Sequence, residues 1–505
     1  PIVIDRNHAF TKVDGVLFKQ MLKMLSLDFI CNYDSLILKD TKKINKLAFA
    51  LDMAVAGRSD ESVWIRQAQE IRKQMTDSLI DSAFTYLPEG VKHDEIELIK
   101  QKLKRRRLEL EAVASQYYRL LQRTPVVAGT NQSDYFLIER QAPDRTILRI
   151  YDPETGDCRL EQQFSGKETK ELWLYGLAGN DTFEVKGNTR KDFPIYLISG
   201  EGENQYQLNH SRKIHVYDKD YKYDYQKIKY HKISFTPWGI YDSDKGISLG
   251  TFFTYTMYGF KRAPFTYQHR IGYNYLKGFM YAGVFPNYDG RRRLYLNASI
   301  SSPRNFENFF GFGNNTAGYK EEKKNYNRVK LRTYMLNPSF EMDLRKEEVV
   351  TFFGSLDMYK AKRTDDRYIY TVYGEDHPIF RTNYFVGLGA TYRITKQPYS
   401  WLPLLETEWT AGWKMNLKKP ERNFPYAQGS LSWNVRFSDR FTWASLMKGT
   451  VLFDNDYEFY QAATIDLRGF RDNRFIGKQS FYQYSDLRLD MGKLKNPFTP
   501  LKYGL

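Results

Sequence analysis

From about residue 232 onward the chain reads as one period-two segment after another, and no other pattern in it leaves so few folds open. Phe265, Tyr267, His269, Ile271, Tyr273 and Tyr275 are apolar or aromatic at every second position, while Thr266, Gln268, Arg270, Gly272 and Asn274 occupy the other face. Leu294, Leu296, Ala298 and Ile300 alternate with Arg293, Tyr295, Asn297 and Ser299. The repeat returns in Val350, Phe352, Gly354, Leu356 and Met358, and again in Leu431, Trp433, Val435 and Phe437. A soluble sandwich would turn such faces toward a core. Here they are aromatic-rich in strand after strand, with no helical pattern between them to cover a sheet.

Hydropathy narrows the choice further. Mean hydropathy is −0.61, and no stretch approaches the roughly 18 uncharged apolar residues that a spanning helix needs. A closed barrel escapes that requirement because only every second side chain faces lipid. Six of the eight tryptophans (Trp238, Trp401, Trp409, Trp413, Trp433, Trp443) lie from Trp238 onward, as expected if that part carries interfacial aromatic girdles. The net charge of +16 favours anionic lipid as a partner over nucleic acid, which is not expected. Two cysteines, Cys31 and Cys158, signal no disulfide framework or thiolate metal site.

Three regions follow: 1–124 helical, 125–229 a small β-rich domain and 230–505 strand-rich. In the first, Ile44, Leu47, Leu51 and Val55 form one stripe that stops at Gly57, and Trp64, Ala68, Ile71, Met75 and Leu79 form the next. Ile99, Leu103, Leu110, Tyr117 and Leu121 line a longer helix. Its basic run Lys102, Lys104, Arg105, Arg106 and Arg107 reads as a solvated face, with lipid headgroups or an acidic partner as the alternative. In the second region, the segments 129–136, 176–183 and 200–206 each place a polar turn before an aromatic residue. The middle one resembles one turn of a calcium-binding G-G-x-G-x-D-x-F repeat, which makes Asp181 a weak calcium candidate. Irregular spacing favours turn-forming structure instead, and no cofactor is expected.

Eleven strands are predicted in the third region before residue 454, near 232–240, 247–259, 265–275, 279–287, 291–302, 326–344, 349–362, 379–394, 403–417, 425–437 and 442–453, with a twelfth at 480–491 and a thirteenth opening after Pro500. Their parity puts the long connections 303–325, 363–378 and 454–479 at one end, and the tight turns at Lys346-Glu347-Glu348 and Ser438-Asp439-Arg440 at the other. That is the bacterial arrangement of long outer loops and short periplasmic turns. The first strand holds Pro237, Trp238 and Gly239. Proline belongs on an edge or at a defect, so this is either a weak seam strand or a bulge before the first true strand.

Leu467-Arg468-Gly469-Phe470-Arg471 resembles the (V/I/L)-R-G-(F/Y) motif of the BamA-like outer-membrane barrel superfamily. The resemblance implies a mainly β, antiparallel transmembrane barrel of the 16-strand type, incomplete here at about 12 strands. It also implies a long extracellular loop folded into the lumen, with Arg468 docked on an inner-wall carboxylate, Gly469 allowing the turn and Phe470 packed beside it. The competing reading is an ordinary turn tripeptide. In that superfamily the first strand, here the one with Pro237, Trp238 and Gly239, pairs weakly with the last and opens sideways for client strands.

A second resemblance rests on Asp5-Arg6-Asn7-His8-Ala9-Phe10 before Asp14-Gly15, on the K-x-R-R-x-x-L run ending at Leu110, on Gly176 to Phe183 and on Phe309-Phe310-Gly311-Phe312-Gly313-Asn314. The chain is similar to the C-terminal part of Bacteroidota surface proteins in which a calcineurin-like metallophosphoesterase and a kinase-like helical region precede a BamA-like barrel. Asn7 and His8 depart from that family's R-D-R-D-Q-A-F. Residues 1–124 are then the tail of the kinase-like module, and the N-terminal half is periplasmic. A secretory leader is expected upstream of Pro1 and further strands after Leu505.

No D-x-H or G-N-H-D cluster, P-loop, H-E-x-x-H or G-x-S-x-G occurs, so no enzymatic activity and no catalytic residue are expected. Three functions compete: outer-membrane protein assembly or translocation, a membrane anchor for an upstream phosphoesterase, and a structural subunit of an outer-membrane complex with other outer-membrane or periplasmic proteins as partners. The absence of recognisable POTRA repeats counts against the first.

Overall fold

The structure, a computed structural model, describes residues 22, 30–34, 36–85, 93–187, 192–209, 212–217, 223–225, 229, 231–242, 245–258, 264–287, 290–316, 325–364, 366–396, 404–438, 440–494 and 501–504. The landmarks at Asp5–Phe10 and Asp14-Gly15, Trp401 and Asp439 lie outside these residues. The chain divides into two compact units, 1–230 and 231–505.

In the first unit, helices at Glu61–Gln74 and Leu110–Leu121 pack through Trp64 and Tyr117, whose rings meet edge-on at 5.8 Å. The stripe expected over Ile44–Val55 is not buried. The chain turns after Ile44 and restarts as a helix at Phe49–Val55, so Phe49 and Met53, four apart, face inward. Leu51 and Val55 fall on the opposite side, and Leu47 is 73% exposed. The next stripe also breaks: the helix ends at Gln74, Thr76 caps Asp77–Ala83 by accepting from the Leu79 N–H, and Ile71 and Leu79 are exposed. The long helix is interrupted at Glu109, whose carboxylate accepts the N–H groups of Ile37 and Leu38.

The basic run is not a solvated face either. Lys104 pairs with Asp81 and Arg107 with Asp77, each at 2.8 Å; Lys102 donates to the Tyr33 carbonyl, and Arg106 donates to the Asp34 carbonyl while lying over the Tyr33 ring. Arg105 alone of the five is exposed. Successive residues on a helix point in different directions, and this helix has neighbours on more than one side.

The β part of this unit is a parallel coil. Its strands are β1 Val126–Ala128, β2 Tyr135–Gln141, β3 Arg145–Tyr151, β4 Cys158–Ser165, β5 Leu172–Tyr175, β6 Thr182–Gly187, β7 Ile195–Ile198, β8 Gln205–Leu208 and β9 Ile214–Tyr217. One sheet runs β1-β5-β7-β9, all parallel; the other runs β4-β3-β2-β6-β8, parallel from β2 to β8. The chain passes from one sheet to the other at each rung, and the three echoing segments 129–136, 176–183 and 200–206 are its successive corners. Their spacing is irregular because the β3–β4 hairpin is inserted in the first rung. Phe136, Phe183 and Tyr206 stack in register at 4.5 and 5.6 Å. Helices and coil, separate regions in the sequence, pack together: Gln122 and Gln162 both donate to the Gly57 carbonyl, and Arg58 donates to that of Ala128.

The second unit is dominated by one large antiparallel sheet of β10 Lys232–Asp242, β11 Gly246–Met257, β12 Tyr267–Asn274, β13 Gly278–Pro286, β14 Arg292–Ser301, β15 Phe306–Asn308, β16 Arg328–Arg345, β17 Glu348–Ala361, β18 Asn383–Lys396, β19 Leu404–Asn416, β20 Asn423–Arg436, β21 Phe441–Leu452, β24 Gln479–Leu494 and β25 Leu501–Gly504. A separate hairpin pairs β22 Ala463–Ile465 with β23 Phe475–Gly477. Every long strand pairs with its sequence neighbour, β14 with β16 and β21 with β24 included. Eleven long strands precede residue 454, as the alternation predicts. Among the described residues β10 and β25 are the two edges and do not pair with each other. The strand expected from 379 begins at Asn383, because Pro378–Phe380 forms a 3₁₀ turn whose proline cannot donate to a ladder. The connection before it holds a short helix, Tyr368–Tyr373.

Candidate functional site

The two faces of the large sheet differ in a direction opposite to that of a soluble sheet. Leu249 is 65% exposed while its neighbour Ser248 is 4% exposed, and Leu388 is 63% exposed one strand away from buried Ser355 and Asp357. The register keeps the sets apart: Leu294 lies opposite Phe340, Phe253 opposite Ile271 and Trp443 opposite Leu487, all on the open face. Arg293 lies opposite Glu341, Thr391 opposite Thr410 and Lys448 opposite Tyr482 on the covered one. Trp409, Trp413, Trp433 and Trp443 share the open face. Trp238 departs from the girdle expectation, since it lies on the covered face stacked on Phe252 at 5.5 Å.

Several charges on the covered face are paired across strands, which offsets the cost of withdrawing them from water. Arg293 forks onto Glu341 and Asp343 at 2.7 and 2.8 Å, Arg393 meets Glu408 at 2.9 Å, and Lys414 meets Asp357 at 2.8 Å. These pairs were not singled out in the sequence. The signal available was a lone charge at a polar-phase position of an otherwise apolar strand.

The described residues of the connections 302–327, 362–382 and 453–478 all leave the same end of the sheet and pack onto its covered face. Phe309, Ile369, Ile379, Phe380, Phe459 and Ile476 pack there against Leu331, Tyr359 and Phe385 of β16, β17 and β18. The last connection is tied down at several points. Glu458 is buried and pairs with Arg422 at 2.9 Å, Gly313 bridges to Ile476, and Arg474 reaches Thr316 while lying over Phe310.

Within it, Leu467 to Phe470 make a turn closed by the Phe470 N–H to the Leu467 carbonyl at 3.3 Å, with Gly469 at φ +84°, a conformation open to glycine. Phe470 packs edge-on against Phe475 at 5.1 Å. Arg468 donates both terminal nitrogens to Asp486 of β24, at 2.7 and 2.9 Å, and lies over Tyr484; its side chain is 70% exposed.

Strand β10 pairs with β11 in unbroken register from Lys232 to Asp242. Pro237 lies opposite Thr251, and Gly239 opposite Leu249, on the open face. Proline has no N–H to give, and β10 has one sheet neighbour among the described residues.

Asp181 is fully buried in the coil. Its Oδ1 accepts the Asp134 N–H at 2.9 Å, and its own N–H donates to Asn204 Oδ1 at 2.9 Å, so the three corners are linked by a side-chain ladder; Oδ2 has no partner. Burial, reinforced by the nearby Asp134 charge and opposed by the Asp134 N–H, pushes its carboxyl up to about 7. Asp134 itself is held by Arg159 at 2.6 Å. Among the described residues no three His, Cys, Asp or Glu side chains group as metal ligands.

No known family description matches this chain, and no curated protein does. Among solved structures it is similar to in-vitro folded OmpT, an outer membrane protein of Vibrio cholerae (6% identity, 44% of this chain and 66% of that one, TM-score 0.27). It is also similar to the anion-selective porin from Comamonas acidovorans (10% identity, 50% and 61%, TM-score 0.26). Outer-membrane expressed OmpT of Vibrio cholerae matches at 8% identity over 45% of this chain and 68% of that one, TM-score 0.27. The matched part spans under two thirds of the first two. At TM-scores this low the likeness carries no argument, and the strand pairing and the inverted faces stand without it.

Proposed function

We propose that residues 231–505 belong to an outer-membrane β-barrel whose open face meets lipid and whose covered face lines the interior. The observation that carries this reading is the inversion: apolar and aromatic side chains exposed, polar and charged ones covered, across consecutive antiparallel strands. In water a monomer tolerates contiguous apolar patches of only a few hundred Å²; in a bilayer an apolar outer face is required. The long connections are extracellular in this arrangement, and the N-terminal unit is periplasmic. Outer-membrane lipid is the first partner.

The finer reading is a BamA-like barrel that takes part in outer-membrane protein assembly or translocation. Two features favour it: Arg468 on its glycine turn, bound to a covered-face carboxylate, and an edge strand, β10, weakened by Pro237. The second reading is a membrane anchor or structural subunit of a larger complex, including one that carries an upstream phosphoesterase. It is favoured by the first unit, a single compact body of helices and parallel coil with no β-α-α-β-β module among its described residues.

Single-tryptophan variants of the full-length protein in brominated lipid test the membrane reading. Trp409 is expected to be quenched and Trp238 spared; equal protection of both sinks it. Depleting the protein in its host separates the finer readings, because a general fall in other outer-membrane proteins marks assembly and an unchanged outer membrane marks anchoring.

A further inference from the structure

We propose that the covered face holds a binding site for a small acidic sugar, a hexose bearing a phosphate or carboxylate, between Lys448 and the loop segment at Tyr460–Asp466. A cavity of about 420 Å³ lies there between strands β17, β19, β20, β21 and β24 and that segment. This volume falls within the range of small-molecule sites. It stands on local strand pairing and does not depend on barrel closure.

Three observations point to the ligand. Lys448 is a cation at a covered-face position whose cross-strand neighbours are Ser430 and Tyr482, and it makes no ion pair or hydrogen bond among the described residues. The other lysine at the cavity, Lys414, is already held by Asp357. An ammonium on a covered strand position ordinarily carries a partner, as Lys414 does in Asp357.

Two loop groups are also unmatched. Gln461 spends its Oε1 on the Glu458 N–H, and its Nε2 is buried without an acceptor; the Tyr460 hydroxyl is likewise buried and unpartnered. A buried donor left unmade is costly, and a ligand oxyanion supplies an acceptor for it together with the charge that Lys448 lacks.

The body of the ligand follows from the walls. Phe424, Tyr426 and Tyr482 line it with aromatic rings suited to a flat, partly apolar unit, Gln428 and Thr450 line it with hydrogen-bonding groups, and Asp466 with a carboxylate that can accept from hydroxyls. Rings beside amide, hydroxyl and carboxylate groups suit a pyranose better than an aliphatic acid, which would leave Asp466 facing apolar carbon.

Calorimetry on the full-length protein in neutral detergent tests this with glucose 6-phosphate, glucuronate, glucose and inorganic phosphate. Glucose 6-phosphate and glucuronate are expected to bind, one molecule per chain. Lys448→Gln and Gln461→Leu should each weaken binding about tenfold, the scale of one charge-assisted hydrogen bond. Lys448→Arg should retain binding, and Lys396→Gln, at an exposed strand end, should leave it unchanged. Heat-dependent gel migration reports whether each variant is folded, and Gln461→Leu carries the test if Lys448→Gln is not. Absence of binding, or equal binding by folded Lys448→Gln and Gln461→Leu proteins, overturns the site. Inorganic phosphate binding as tightly as glucose 6-phosphate overturns the sugar assignment, and so does glucose binding as tightly as either acid.

Discussion

Arg468 and Asp486 form a two-pronged ion pair, with Nη1 to Oδ1 at 2.7 Å and Nη2 to Oδ2 at 2.9 Å, that fastens the last long loop to strand β24. Eighteen residues separate them, so the pair closes the loop back on the strand that follows it. The fork geometry is particular to arginine. Arg468→Ala and Asp486→Asn are therefore expected to lower the unfolding temperature of the full-length protein by similar amounts, with the double variant little worse than either. Arg468→Lys should recover part of the loss. Heat-dependent gel migration reads all four; strictly additive losses would show that the two residues act separately.

Asp181 gives the N-terminal unit a pH dependence with a definite sign. Its folded carboxyl titrates near 7, above the ordinary 3.8, so between those values the folded coil holds a proton that the unfolded chain has released. Stability from this group is present below about pH 4, falls as pH rises toward 7 and is flat above, at no more than about 1.4 kcal/mol per pH unit. Asp181→Asn keeps the oxygen that accepts the Asp134 N–H and cannot ionise. Hydrogen exchange at 182–187 should slow in that variant at pH 8 and lose its pH slope. An unchanged slope would assign the dependence to another group.

Gly176 sits against the same carboxylate. A Cβ there would lie 2.0 Å from Asp181 Oδ2 and 2.5 Å from the Ser199 carbonyl, and backbone on one side cannot yield. Gly176→Ala should destabilise the coil by about 1–3 kcal/mol or more, read as faster exchange in β5 and β6. Gly57→Ala, whose Cβ meets nothing closer than 3.6 Å, serves as the mild control.

The two faces of the sheet should respond oppositely to one charge. Leu388→Arg places a guanidinium on the open face, at a cost of about 2–4 kcal/mol near a bilayer midplane, and is expected to reduce the amount of protein recovered folded from outer membranes. Ser432→Arg puts the same group on the covered face opposite Glu406 and should be tolerated. Equal losses would remove the distinction between lipid and interior faces.

Orientation is tested with cysteines in a background where Cys31 and Cys158 are serine. Asp376→Cys, on the long connection 362–382, should react with a bulky label on intact cells. Lys346→Cys, in the tight turn at the other end, and Arg105→Cys, in the N-terminal unit, should need a permeabilised outer membrane. The reverse pattern would invert the topology.

Legibility differed by element. The period-two alternation identified eleven long strands before residue 454 and their faces, because each strand pairs with its neighbour and exposes alternate side chains to one environment. Helical stripes were less secure: Leu47, Leu51 and Val55 kept the right spacing but lost their phase when the chain turned after Ile44. The corners of the coil were visible as echoes, yet their stacking was hidden by the β3–β4 insertion.

The sequence by itself determined which residues form strands, which side of each strand is apolar, and that Arg468 sits on a glycine turn, since these follow from local periodicity and backbone sterics. Only the tertiary structure decided that the apolar side is the exposed one, that Arg468 takes Asp486, that Lys414 takes Asp357 and that Lys448 takes neither. Those outcomes depend on register between strands many residues apart and on which loops cover which face, and no local pattern encodes either.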